Sequence, residues 1–171
     1  MVRAFFPGSF DPIHYGHIDI ARRAVRLFDE LIIAVYDKPL KSLLFTPDER
    51  IALVKEAFAD EPKIRITGYS RLTVDACRDA EAQVIVRGLR VFSDFEFEFR
   101  MALANHRLAA DIESIALITH EEHTFISSST VKEIVMLDGD VSSMVPPYVH
   151  LALKNKINSM TERNSPTPPR D

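Results

Sequence analysis

A single doubly wound α/β domain, carried on a five-stranded parallel sheet of the Rossmann-like type, is the architecture expected from this chain. Three observations lead there. Short runs of Val, Ile, Leu and Phe alternate with longer amphipathic stretches over 171 residues, a length that suits one core. The short runs are apolar at consecutive positions, as strands covered on both faces are. Most are separated by enough chain for a helical crossover, and such alternation makes the strands parallel.

The elements follow in order. "VRAFF" (2–6) reads as the first strand, ended by Pro7 and Gly8. "HIDIARRAVRLFDE" (17–30) is a helix opened by His17, with Ile18, Ala21, Val25 and Phe28 on one face and Arg22, Arg23 and Arg26 facing outward. "ELIIAVY" (30–36) is the second strand. In "TPDERIALVKEAFA" (46–59), Thr46 caps a helix, Pro47 fits its first turn and Glu49 completes a capping box. "KIRITGY" (63–69) and "AQVIVRG" (82–88) are strands three and four, flanking a short helix in "LTVDACRDAEA". "SDFEFEFRMALANHRLAAD" (93–111) is a long helix with Ser93 or Asp94 as cap and its phenylalanines mostly in the core. "SIALIT" (114–119) is the fifth strand, "SSTVKEIVMLDGD" a helix terminated by Gly139, and "PPYVHLALKNKIN" the last helix. The domain is expected over 1–158. Residues 159–171, including the proline-rich "TERNSPTPPRD", are expected as a disordered tail.

Bulk properties exclude several classes. A net charge of −4 and a pI near 5.9 offer no basic field for nucleic acid or an anionic membrane. The single cysteine, Cys77, excludes an internal disulfide and reads as a small buried side chain. No run approaches the ~20 apolar residues of a membrane span, and the N-terminus lacks the pattern of a secretory leader. The expectation is a soluble cytoplasmic protein. No G-x-x-x-x-G-K-[ST], no G-x-G-x-x-G after a strand and no G-x-S-x-G is present, and the histidines of "HEEH" (120–123) are three apart where a zinc protease needs four.

Open parallel sheets bind ligands beyond the carboxyl ends of their strands. The loops at that rim are 7–17, 37–46, 68–73, 88–94 and 119–129. "PGSFDPIHYGH" (7–17) places His14, Gly16 and His17 at a helix start, where N–H groups and the positive dipole end attract anions. "VRGLR" ends a strand with Arg87 and Arg90, whose guanidinium forks suit phosphate. "HTFISSSTVKE" (123–133) sets three serines before a helix, and "DKPLKSLLF" supplies Lys38 and Lys41. Each has a plainer reading: a turn with a helix cap, a solvated loop, an over-provided cap, or solvated lysines. All four share one rim, and jointly they favour a polyphosphate nucleotide.

"PGSFDPIHYGH", "VRGLR", "DFEFE" and "FISSSTVKE", in this order and spacing, resemble the bacterial phosphopantetheine adenylyltransferases of the HxGH nucleotidyltransferase superfamily, over roughly residues 2–158. The resemblance implies a Mg²⁺-dependent transfer of AMP from ATP to 4′-phosphopantetheine, giving dephospho-coenzyme A and pyrophosphate, in a homohexamer. It implies His17, Lys41 and Arg90 as catalytic residues, and Ser9, Lys41, Thr73 and Arg87 as the acceptor-binding set. For ATP it implies Ser9, Phe10, His17, Gly88, Leu89, Arg90, Glu98 and the run His123, Thr124, Phe125, Ile126, Ser127, Ser128, Ser129. No protein side chain is assigned to the metal. His14 stands where many family members carry threonine. The alternatives are another transferase of the superfamily, such as a nicotinamide mononucleotide adenylyltransferase or a cytidylyltransferase, and a nucleotide-binding regulator without catalysis.

Overall fold

The computed structural model describes residues 1–38 and 43–164, the last four of these by their backbone. The chain forms β1 (Arg3–Gly8), α1 (Tyr15–Ala24), β2 (Glu30–Tyr36), α2 (Pro47–Ala57), β3 (Ile64–Tyr69) and α3 (Thr73–Asp79), then β4 (Val84–Leu89), α4 (Phe92–Leu108), β5 (Glu113–Ile118), α5 (Ser128–Met136) and α6 (Pro147–Asn164). All five strands are parallel, in the order β3-β2-β1-β4-β5. The direction of winding reverses between β1 and β4, which is where a ligand crevice belongs.

Strand pleating sorts the apolar side chains into two cores. Ala4, Phe6, Leu31, Ile33 and Val35 pack with Ile20, Val54, Val131 and Leu153 of α1, α2, α5 and α6. Phe5, Ile32, Ala34 and Ile85 pack on the other face with Val74 and Cys77 of α3 and with Ala109 and Ile112 after α4. Burial pushes the Cys77 thiol up to about 12, so it is an inert core side chain, as its setting in the sequence suggests.

Several local expectations change. Pro7 and Gly8 do not end β1; they continue it, paired with Ala34 and Val35 of β2. On the other side the β1–β4 ladder holds only at Ala4 and Phe5, and beyond these the strands part. Proline has no N–H for a ladder, and the Pro7 carbonyl instead accepts from the Arg87 guanidinium at 2.8 Å. The cap of α1 is His14, with His17 one turn inside. The cap position of α4 is Val91; Asp94 instead turns back to the Arg90 backbone N–H at 3.1 Å. The α4 phenylalanines are not core: Phe92 is 89% exposed, and Phe95, Phe97 and Phe99 are about half exposed. β5 is likewise largely exposed rather than covered on both faces.

After α5 it is Asp138, not Gly139, that takes a left-handed backbone, at φ 59°. Gly139 serves by close approach, because a Cβ there would stand 2.5 Å from the Ile134 Cγ2. The Thr46–Glu49 capping box of α2 forms as expected. Helix α6 runs to Asn164, past the boundary expected at 158, so 159–164 are helical rather than tail. The remainder of the expected tail, 165–171, lies outside the described residues.

Candidate active site

Where β1 and β4 part, the surface opens into two joined cavities. One, of about 290 Å³, is lined by the loop after β1, the start of α1, the end of β4 and the start of α5. The other, of about 480 Å³, runs beneath α4 and is walled by Tyr36, Tyr69, Thr73, Leu89, Phe95 and Met101 among others. They share Pro7, Gly8, Ser9, Arg87 and Glu98. The first has a polar wall and the second an apolar one.

The start of α1 is built by two histidines. His14 Nδ1 accepts from the His17 backbone N–H at 3.4 Å, and His17 Nδ1 accepts from the His14 N–H at 3.3 Å. The pair is a capping box made of imidazoles, with ring centroids 3.7 Å apart. A neutral ring whose Nδ1 accepts carries its proton on Nε2, so each presents an Nε2–H donor. The Phe10 ring meets His17 edge-on at 4.9 Å, and Phe10 takes a left-handed backbone at φ 47°. Gly16 matters by proximity: a Cβ there would sit 3.1 Å from the His14 ring.

Burial, with the Arg90 and His123 charges adding to it, pushes His14 down to about 3, so it stays neutral at physiological pH. The unfolded chain takes up this proton near pH 6.5, where the folded one does not. Folding stability is therefore fully present above about 6.5 and falls as the pH drops toward 3. His14→Thr preserves a side-chain cap. It is expected to flatten the decline in the urea midpoint between pH 6.5 and 5, while wild type weakens across that interval. Parallel slopes for the two proteins would contradict a neutral His14.

Both arginines of "VRGLR" are held by carboxylates. Arg87 makes a two-pronged pair with Glu98 at 2.8 and 2.7 Å, and Arg90 does the same with Asp94 at 3.0 and 3.2 Å. Arg90 also donates to the Ile126 carbonyl at 2.9 Å, tying β4 to the loop before α5. Burial opposes ionisation of Asp94, yet the Arg90 guanidinium and the backbone N–H groups of Arg90 and Val91 hold its carboxyl below the usual range. Ser127 caps α5, and Ser128 Oγ donates to the Pro12 carbonyl at 2.9 Å, joining the serine loop to the loop after β1.

The structure thus brings Ser9, Phe10, His17, Arg87, Gly88, Arg90, Glu98 and Ser127–Ser129 to one cavity, together with His14. Thr73 and Leu89 line the second cavity, Thr73 with its hydroxyl 3.2 Å from that of Tyr69. Four residues of the expected ATP run do not line the first cavity. His123 stacks over Tyr15 at 6.4 Å, Thr124 donates its hydroxyl to the Glu121 carbonyl, Phe125 projects outward, and the Ile126 side chain is in the core. Lys41 lies outside the described residues.

Sequence reasoning missed Asp11, Arg50 and Lys132, and gave Asp94 a helix cap in place of its pairing with Arg90. Asp11 is buried and accepts from the Leu44 and Phe45 N–H groups, each at 2.9 Å, and from Lys132 Nζ at 2.6 Å. Arg50 is fully buried on the core side of α2, one turn before Val54. A signal existed for it: an arginine one helical turn from a core valine is out of place unless paired.

Residues 5–134 match the family model of the cytidylyltransferase-like proteins. The chain is 51% identical over 154 residues to a phosphopantetheine adenylyltransferase of Roseiflexus castenholzii, covering 90% of this chain and 96% of the relative. It is 47% identical over 162 residues to one of Herpetosiphon aurantiacus, covering 95% and 98%. Among solved structures, a putative nicotinate-nucleotide adenylyltransferase from Vibrio parahaemolyticus superposes with a TM-score of 0.67 at 19% identity, covering 90% of this chain and 99% of that one. At that identity the likeness speaks for the fold alone.

Proposed function

The chain belongs to the phosphopantetheine adenylyltransferase family, and from that premise we propose how its two joined cavities carry out the family's reaction. The enzyme transfers the adenylyl group of ATP to 4′-phosphopantetheine, giving dephospho-coenzyme A and pyrophosphate, a step of coenzyme A biosynthesis. The observation that carries the assignment of parts is the shared wall of Pro7–Ser9, Arg87 and Glu98 between the two cavities. The cavity at α1 takes the triphosphate. The one beneath α4 takes the pantetheine arm, with its phosphate at the junction.

The nucleophile is a phosphomonoester whose second pKa lies near 6, so it is mostly ionised at neutral pH and needs no general base. Its oxygen attacks the α-phosphorus in line with the departing pyrophosphate, with no covalent intermediate. Catalysis is then positioning and charge stabilisation. The His17 Nε2–H and the Arg90 guanidinium donate to the α- and β-phosphate oxygens, with Lys41 joining them at the transition state. Ser9, Arg87 and Lys41 hold the acceptor phosphate, and Thr73 lines the arm. Phe10, Gly88, Leu89, Glu98 and the run 123–129 surround the nucleotide, with His123, Thr124, Phe125 and Ile126 acting through backbone or on rearrangement. Phosphates and the carboxylates of Glu98 and Asp94 compete for the same guanidinium forks, so binding exchanges one partner for the other.

Mg²⁺ is the proposed cofactor. Among the described residues no three His, Cys, Asp or Glu side chains gather as a ligand set, and the cavity's carboxylates are engaged by arginines. An ion entering with the nucleotide would draw its ligands from phosphate and water. Its chemistry there would be to neutralise charge on the leaving pyrophosphate. Activity is expected to vanish on chelation and return with added Mg²⁺.

Self-association into a homohexamer is proposed as well. The exposed apolar row of Phe92, Phe95, Phe99, Leu103 and Ile118 on α4 and β5 supports a protein partner surface there. The proposed compartment is the cytoplasm, and no membrane or nucleic-acid partner is proposed. No helix among the described residues is long and apolar enough to cross a membrane.

The test is direct. Incubated with ATP, Mg²⁺ and 4′-phosphopantetheine, the protein is expected to yield dephospho-coenzyme A by mass, and no adduct with nicotinamide mononucleotide. Turnover of the mononucleotide instead would favour the sister activity, and ATP binding without turnover of either would favour a regulator.

A further inference from the structure

Beneath the shared wall lie two buried charged side chains, Arg50 and Asp11, that the reaction scheme above does not use. Arg50 is 0% exposed. One terminal nitrogen donates to the Ser9 carbonyl at 2.7 Å and the Tyr36 carbonyl at 2.8 Å, and Nε donates to the Phe45 carbonyl at 3.3 Å. The other terminal nitrogen is buried without a partner. Burial lowers the affinity of this guanidinium for its proton, and the charge of Asp11 counters that. Asp11 itself receives Lys132 and the Leu44 and Phe45 N–H groups. Phe45 is therefore gripped at its N–H by Asp11 and at its carbonyl by Arg50.

The Ser9–Phe10 peptide is held at the Ser9 carbonyl by Arg50 and is followed directly in the chain by Asp11, and Phe10 sits at φ 47°. A bulky residue in that region is strained and persists only where its surroundings over-determine it. Gly8 adds to the constraint, because a Cβ there would meet the Phe10 ring at 2.9 Å. The constrained turn carries Ser9 to the junction of the cavities and Phe10 against His17.

We propose that Arg50 and Asp11 are positioning residues: two buried charged groups that grip the segments around the Ser9–Phe10 turn and hold it in its unfavourable conformation, so that Ser9 faces the acceptor phosphate while His17 faces the phosphates of ATP. The proposal rests on the adenylyl-transfer reading and concerns residues that touch neither substrate. A lysine at 50 keeps the charge but lacks the fork that reaches three carbonyls on separate segments.

The test compares wild type with Arg50→Lys, by turnover and by calorimetric titration with ATP. Arg50→Lys is expected to bind one ATP per chain with Kd within about 3-fold of wild type, while kcat falls roughly 10- to 100-fold. This is the scale of an ångström-level misplacement of reacting groups. A merely structural role would lower ATP stoichiometry and activity together and leave kcat per binding-competent site unchanged, and that result overturns the proposal. If Arg50→Lys does not fold, Asp11→Asn is read the same way, with the same two outcomes. Failure of wild type to adenylylate 4′-phosphopantetheine would instead strike the functional reading, so the two failures are distinguishable.

Discussion

His17→Ala is expected to lower kcat by about 10²–10³, the scale for losing one preorganised donor at a developing oxyanion, while the protein folds and binds ATP within about 10-fold of wild type. The geometry gives the reason. His17 lies one turn inside α1, and its Nδ1 is occupied as acceptor for the His14 N–H. That fixes the ring plane and leaves Nε2 as the donor end, while the Phe10 edge at 4.9 Å limits rotation. A donor fixed before substrate arrives needs no reorganisation during the reaction. The substitution removes half of the imidazole capping box, which costs about 1 kcal/mol of stability, while the His14 side chain still caps the His17 N–H. Steady-state kinetics together with a thermal melt separates the two effects. A kcat within 3-fold of wild type would remove His17 from the catalytic role.

Much of this was legible in the sequence, and the boundary follows from how each feature is encoded. β1, β2 and β4 were readable because their buried positions leave runs of consecutive apolar residues, whereas β3 and β5 read as strands too without being covered on both faces. The site loops were readable because topology alone assigns them to one rim. What sequence did not reveal is pairing. Arg87 and Glu98 are 11 positions apart and Asp11 and Lys132 are 121 apart, and no periodicity joins them. The α4 phenylalanines illustrate the opposite error. Apolar residues at helical spacing read as core, yet Phe92 is on the surface and Phe95, Phe97 and Phe99 are half exposed along the second cavity, beside a largely exposed β5. A pattern reports that a face is apolar and not what covers it. Pro7 misled for a related reason. It is a strand breaker where a ladder needs its N–H, but β1 has no β4 partner at that point.

Arg87→Ala is expected to weaken 4′-phosphopantetheine about 30- to 100-fold in calorimetric titration while changing ATP affinity by no more than about 5-fold, because Arg87 stands at the junction of the two cavities, the place proposed for the acceptor phosphate. Two effects combine in that loss. A charge-assisted fork to phosphate disappears. Glu98, with its side chain only 14% exposed, is left unpaired and facing the incoming dianion. The double variant Arg87→Ala/Glu98→Gln separates them: with the stranded charge neutralised, acceptor affinity should recover several-fold but stay below wild type. Arg87→Lys should fall between the extremes, since one ammonium cannot serve the Glu98 carboxylate, the Pro7 carbonyl and a phosphate at once. Equal losses for ATP and acceptor in Arg87→Ala would mean that the guanidinium serves the triphosphate instead. The division of labour between the two cavities would then have to be redrawn with the acceptor phosphate elsewhere on the shared wall.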